Sequence, residues 1–102
     1  MSGETRIHKL SNGITLLGQQ NEHAQAAAFS ILVPAGAVQE PDAELGISGV
    51  LVEMFNKGAG ELSSRELSAR FEDLGAARSA SAGVEVSVFS CSVLAENLET
   101  VI

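Results

Sequence analysis

Apolar and polar positions switch between two periods along this chain, and each switch marks an element. Apolar residues in 7–10 and 14–17 flank Ser11-Asn12-Gly13. An Asn-Gly pair supplies the positive φ angles of a tight turn, so the two segments are predicted to form a β-hairpin. A polar link, residues 18–25, follows. Phe29, Ile31 and Val33 then fall on one face of residues 26–33, the alternation of a third strand. Pro34-Ala35-Gly36 ends it.

The period then lengthens. Asp42 is placed to N-cap a helix starting near Ala43, its carboxylate accepting from free backbone N–H groups of the first turn. Leu45, Val50, Leu51, Met54 and Phe55 are apolar, and Ile47 and Val52 widen the stripe nearly all round, the pattern of a buried helix. Gly46 and Gly49 each cost about 1 kcal/mol relative to Ala inside a helix, so close packing is expected to justify them. Gly58 or Gly60 can stop the helix. Ser63-Ser64-Arg65-Glu66 reads as a capping box. Leu67, Phe71 and Leu74 continue that second helix at i, i+4, i+7, and Gly75 closes it.

Residues 78–93 read as one extended segment. Val84, Val86 and Val88 share a face, and Phe89, Cys91 and Val93 the other, so both faces are expected to be covered near its end. Leu94, Leu98, Val101 and Ile102 return to helical spacing. The sequence stops on an apolar residue inside that pattern, which points to residues 1–102 being part of a longer protein. The resulting order, β-β-β-α-α-β-α, predicts a two-layer α+β domain with helices packed on one side of a largely antiparallel sheet.

Composition narrows the function. With 102 residues and 45% hydrophobic content, the chain suits one small globular domain. Its aromatics are four Phe, so Val, Leu, Ile and Ala must build most of the core. The formal net charge is −7 and no run of Lys or Arg occurs, which argues against a nucleic-acid or anionic-membrane surface. Cys91 is the single cysteine, so no intrachain disulfide forms. No run of about 18 apolar residues is present to span a membrane. The first residues carry no apolar leader, and a cytoplasmic location is the expectation.

The stretch from Leu45 to Gly58 resembles the zinc-binding helix of the M16 (insulinase, pitrilysin, mitochondrial processing peptidase) family, roughly G-[LI]-[AS]-H-x-[LV]-E-H-M-x-x-K-G. Gly46, Ser48, Leu51, Met54, Lys57 and Gly58 fall in place. Gly49 stands for the first His, Val52 for the Glu and Glu53 for the second His. The resemblance extends along the chain. Leu10-Ser11-Asn12-Gly13-Ile14 is similar to the family's opening L-x-N-G-[LIV]. Ala35-Gly36-Ala37-Val38-Gln39-Glu40 matches A-G-[SA]-x-x-E, and Phe71-Glu72-Asp73-Leu74-Gly75-Ala76 matches the end of the second helix. Ser79-Ala80-Ser81-Ala82 keeps the Ala of the family's N-A-x-[TS] strand but not its polar ends, and Phe89 stands where a Tyr is common.

The resemblance implies the M16 two-layer fold, found in paired copies that enclose a peptide chamber. It also implies what this chain lacks. In H-x-x-E-H, two His on one helical face hold zinc, and the Glu moves a proton from the metal-bound water to the leaving amine. Gly49 and Val52 offer no such group, Glu53 would be a lone ligand, and His8 and His23 have no partner at i+4. No catalytic or metal-binding residue is therefore assigned, and zinc is expected only in an active partner or domain. Packing accounts for Gly49 and Val52, a solvated helix face for Glu53, and helix-start electrostatics for Glu40, Asp42 and Glu44. The family's equivalent of Ser79, Ala80, Ser81 and Ala82 pairs with an extended substrate, so these are the candidate peptide-binding residues.

Neither a nucleotide-binding glycine loop nor a G-x-S-x-G nucleophile turn occurs. The expected function is that of a non-catalytic M16 homologue, serving as chamber wall, peptide contact or assembly partner of a motif-bearing subunit or domain. One alternative is part of an active zinc endopeptidase whose site lies elsewhere in the full-length chain. The other is a structural core subunit of a larger complex.

Overall fold

A computed structural model describes residues 3–102. The chain opens with strands β1 (Thr5–Lys9) and β2 (Thr15–Gln19), paired antiparallel with Ile7 opposite Leu17. Gly13 takes φ +93°, while no residue other than glycine has a positive φ among the described residues. The two positive φ angles expected of Asn12-Gly13 are thus reduced to one. The loop is longer than a two-residue turn. Leu10 N–H donates to Ile14 O (2.8 Å), Gly13 N–H to Leu10 O (3.0 Å), and Asn12 Oδ1 accepts the Ile14 N–H (3.0 Å). Asn12 serves by its side chain rather than by its backbone.

Strand β3 (Ala26–Val33) follows the polar link. Short 3₁₀ turns at Ala37–Gln39 and Asp42–Glu44 lead to helix α1 (Ile47–Met54). Two short strands, β4 (Gly58–Ala59) and β5 (Leu62–Ser63), pair antiparallel and deliver the chain to helix α2 (Ser64–Asp73). Sequence periodicity missed this two-residue clasp because it is too short to alternate. The remainder is β6 (Ala77–Ala82), β7 (Ser87–Leu94), a 3₁₀ turn at Ala95–Asn97 and the short helix α3 (Leu98–Val101).

The extended segment expected over residues 78–93 is therefore two strands, not one. Gly83 explains the break. Its N–H bonds to Val86 O (2.9 Å), and a Cβ there would lie 2.8 Å from the same oxygen. Only glycine fits so tight a reversal. Val84 and Val86 lie in the turn rather than on a strand face.

The main sheet is antiparallel in the order β3-β7-β6, which leaves β6 at one edge. Phe29 pairs with Cys91 and Ile31 with Phe89, while Arg78 and Ala80 of β6 oppose the same two residues of β7. These residues share one face. Leu67 and Phe71 of α2, with Leu74 at its C-cap, line a cleft of about 340 Å³ together with Phe29, Phe89 and Cys91 of that face. The other face carries Ser30 and Ser90, whose hydroxyls bond at 2.9 Å, so an apolar layer covers one side of the sheet. An α+β architecture with helices on a largely antiparallel sheet is what the structure has.

Both ends of α2 follow their sequence signals. Ser63 Oγ accepts the Glu66 N–H (3.2 Å), and its own hydroxyl donates to the Glu66 carboxylate (3.1 Å). Gly75, at φ +66°, closes the helix: its N–H reaches Glu72 O (3.0 Å) and the Ala76 N–H reaches Phe71 O (3.0 Å), the two bonds of a Schellman cap. Arg78 ties β6 to this helix, with its guanidinium 4.3 Å above the Phe71 ring and a bond to Ser68 Oγ (3.3 Å).

Packing is thin elsewhere. Val52, Leu67, Cys91 and Val93 are the buried apolar residues among those described. Helix α1, expected to be buried nearly all round, is covered on one side only. It packs on β6, burying Ser48 and Val52, while Val50, Leu51 and Met54 stay at least half exposed. The Phe55 ring, just past its end, lies 4.2 Å from Phe89. The Cα radius of gyration, 15.7 Å, exceeds the roughly 13 Å of a compact chain this long, because the β1–β2 hairpin forms a separate sheet from β3-β7-β6.

Candidate functional site

Helix α1 and the β6 edge it packs against form the site. The helix does not start where Asp42 would cap it. Asp42 lies in a 3₁₀ turn, and the α-helix begins at Ile47 with Gly46 as N-cap in the left-handed region, φ +93°. That conformation, not close packing, is what Gly46 is for. Because Gly46 has no side chain to cap with, Glu40 does so from outside the helix. Its Oε1 accepts the Gly46 N–H (3.0 Å) and its Oε2 the Ser48 N–H (2.8 Å). The Gly46 N–H, then the Ser48 N–H, then the Ser48 hydroxyl stabilise the carboxylate and hold its pKa below the ordinary 4.5, with burial opposing them. Helix-start electrostatics is therefore the role of Glu40, as its place in the sequence indicated.

Gly49 and Glu53 are separated by one helical turn and sit on the exposed side of α1, whereas Val52 is turned inward, 6% exposed. The expectation that Gly49 admits a closely packed backbone fails, since a Cβ built there meets nothing within 4 Å. Space is not what keeps a larger side chain out. Val52 does fill space, against β6, and Glu53 is a solvated helix residue.

The donor set does not fit zinc. Across the three chemical positions there is one hydrogen, one hydrocarbon and one carboxylate, where a structural or catalytic zinc needs at least three protein ligands. Among the described residues no three His, Cys, Asp or Glu gather as metal ligands would. His8 stands on β1 opposite Leu16, and His23 lies in the link beyond β2, so neither is on the element that carries Glu53.

Ser79, Ala80, Ser81 and Ala82 all fall within β6. Ser79 and Ser81 oppose Ser90 and Val88 on one face; Ala80 and Ala82 oppose Phe89 and Ser87 on the other. Every side chain here is small, and β7 satisfies only the inner edge of the strand. An antiparallel edge strand presents its remaining N–H and C=O groups outward, where an extended chain can pair with them.

Sequence reasoning missed the connection between this strand and α1. Gly36 is buried against the β6–β7 turn, and a Cβ on it would lie 2.5 Å from Glu85 C and from Val84 O. The Ala37 and Val38 N–H groups bond to Gly83 O and Val84 O, each at 3.0 Å, and the fully buried Ser87 hydroxyl donates to Ala35 O (2.8 Å). The legible signal was Gly36 itself, at the head of A-G-x-x-x-E.

Comparison with known proteins identifies the family. The family model for insulinase (peptidase family M16) matches residues 15–102. An uncharacterized zinc protease of Rickettsia felis is 28% identical over 99 residues, covering 97% of this chain and 24% of that protein. The mitochondrial-processing peptidase subunit beta of Lentinula edodes is 34% identical over 85 residues, covering 83% of this chain and 18% of its own length. The subunit of the same name from Dictyostelium discoideum is 29% identical over 99 residues, 96% of this chain and 21% of that one. The chain thus spans about a quarter or less of the relatives it matches. With residues 15–102 of this chain matched by the family model and the helix frame from Gly46 to Gly58 in place, this chain belongs to the insulinase family, peptidase family M16.

Proposed function

We propose that this chain is a non-catalytic member of the family, contributing peptide contacts and chamber wall while a separate chain supplies zinc and the proton transfers. One observation carries the reading: Gly49, Val52 and Glu53 differ at all three chemical positions of a helix whose frame is otherwise kept. A single swap could preserve ligation. Loss of both His and of the general base removes the metal and the proton shuttle together.

The β6 edge has a use that does not need the metal. An extended peptide adding alongside Ala77–Ala82 would be held by main-chain hydrogen bonds, and the small side chains of Ser79, Ala80, Ser81 and Ala82 leave room for it. The chain would then bind unfolded segments and present them to a motif-bearing partner.

The test uses the full-length protein purified alone and incubated with an unstructured peptide. The expected result is saturable binding without cleavage, unchanged by a chelator. Chelator-sensitive cleavage would overturn the reading. It would favour instead an active endopeptidase with its site outside these residues, a reading supported by the zinc-protease relatives and by the share of their length this chain spans.

A further inference from the structure

Residues 35–40 are fixed at both ends. At one end they are pressed on the β6–β7 turn by the Ala37 and Val38 N–H bonds, by the Ser87 hydroxyl and by the absence of a Cβ on Gly36. At the other, Glu40 holds two N–H groups at the start of α1. Between the ends the segment is closed on itself. Gln39 Oε1 accepts the Gly36 N–H (2.8 Å), the Gln39 N–H returns to Gly36 O (3.0 Å), and the Glu40 N–H donates to Ala37 O (3.2 Å). The φ of Gly36, −93°, is open to any residue, so its requirement is steric contact with the turn and nothing else.

We propose that residues 35–40 act as a positioning strap, which ties the turn closing β6 to the N-terminus of α1 so that the peptide-accepting edge and the motif helix move as one unit. The proposal rests on the peptide-binding reading above for its purpose, but not for its mechanics. A connector with slack would let the two elements open separately, as exposed loops commonly do. This segment has no slack, because each end makes at least two hydrogen bonds and its middle is a 3₁₀ turn. Gly36 and Glu40 are its positioning residues.

Amide hydrogen exchange on the full-length protein tests the strap. In Glu40→Ala, the Gly46 and Ser48 amides lose their acceptor directly. If the strap couples the two elements, the Ala37 and Val38 amides at the far end also exchange faster, by about tenfold or more. The Leu10 and Gly13 amides of the β1–β2 loop stay unchanged. Glu40→Gln keeps a carbonyl acceptor and restores part of the protection at both ends. Deprotection confined to Gly46 and Ser48 would overturn the proposal.

Helix α1 also touches β6 directly, so Val52→Ala serves as a control: it weakens that contact and leaves Ala37 and Val38 protected. If Glu40→Ala fails to fold, Gln39→Ala opens the strap at its centre, and deprotection at one end only refutes the coupling. A synthetic unstructured peptide is then added to the wild-type protein and to Glu40→Gln. In the wild type it should slow exchange at Gly46 and Ser48, and less so in the variant. Absence of peptide binding with the exchange linkage intact would sink the functional reading alone. Binding that leaves Gly46 and Ser48 unaffected would sink the strap alone.

Discussion

Two Gly→Ala substitutions in this chain should shift stability in opposite directions, and the structure gives the reason for each sign. At Gly36 a methyl group would sit 2.5 Å from Glu85 C and Val84 O and 2.6 Å from Val84 C. All three are backbone atoms, so none can swing aside as a side-chain end would. Restoring ordinary contact requires the 35–40 segment and the β6–β7 turn to separate by about 1 Å. Overpacking of this kind costs about 1–3 kcal/mol. The separation also weakens the Ala37 and Val38 bonds to Gly83 O and Val84 O, at about 1 kcal/mol each. The sum is a loss of about 3–5 kcal/mol, or roughly 12–40 °C in Tm for a domain of this length. At Gly49 a methyl group meets nothing within 4 Å, and alanine gains about 0.5–1 kcal/mol over glycine inside a helix. Thermal unfolding followed by circular dichroism should place Gly36→Ala far below the wild type and Gly49→Ala slightly above it. A Gly36→Ala variant that melts with the wild type would refute the close approach on which the strap depends.

Further outcomes follow from named contacts. Glu40 has its pKa lowered in the folded state, so its contribution is fully present above the unfolded carboxyl value near 4.5 and is lost as pH falls through the lower folded value. A pH titration of stability should show that acid loss in the wild type and a shallower one in Glu40→Gln. Ser63→Ala removes the acceptor of the Glu66 N–H and should cost about 1 kcal/mol in denaturant unfolding. Placing His at both Gly49 and Glu53 puts two imidazoles one turn apart on the exposed side of α1. That variant should gain weak, chelator-reversible zinc binding in calorimetry, short of the three-ligand site that a resident zinc needs, without gaining cleavage, because Val52 still stands where the general base would be. Binding of zinc by the parent to the same extent would contradict the donor count.

What the sequence revealed and what it hid divide along physical lines. Signals confined to a few neighbouring residues were legible. Ser63 with Glu66, Gly75 after Leu74, and the alternation of Phe29, Ile31 and Val33 all appear where local pattern placed them. So did the family, through the order of its short motifs. Features that depend on a distant partner were not legible. Asp42 had the composition of a cap, but Glu40 does the work because Gly46 takes the left-handed conformation and delays the helix. Gly83 reads as one small residue in a run of alternating valines, and only pairing of β6 with β7 shows it as a reversal. The apolar circumference of α1 pointed to burial, yet β6 covers one side and Val50, Leu51 and Met54 stay at least half exposed. At the site, the loss of all three chemical groups was visible in the letters. The open space around Gly49 was not.

Zinc stoichiometry of the full-length protein, purified without a partner and measured by elemental analysis, tests the central claim most directly. A helix offering Gly49, Val52 and Glu53 in place of two ligands and a base lacks the donor set of a zinc site, so no zinc should be retained at parity with protein. One zinc per chain, lost on chelation along with peptide cleavage, would contradict it.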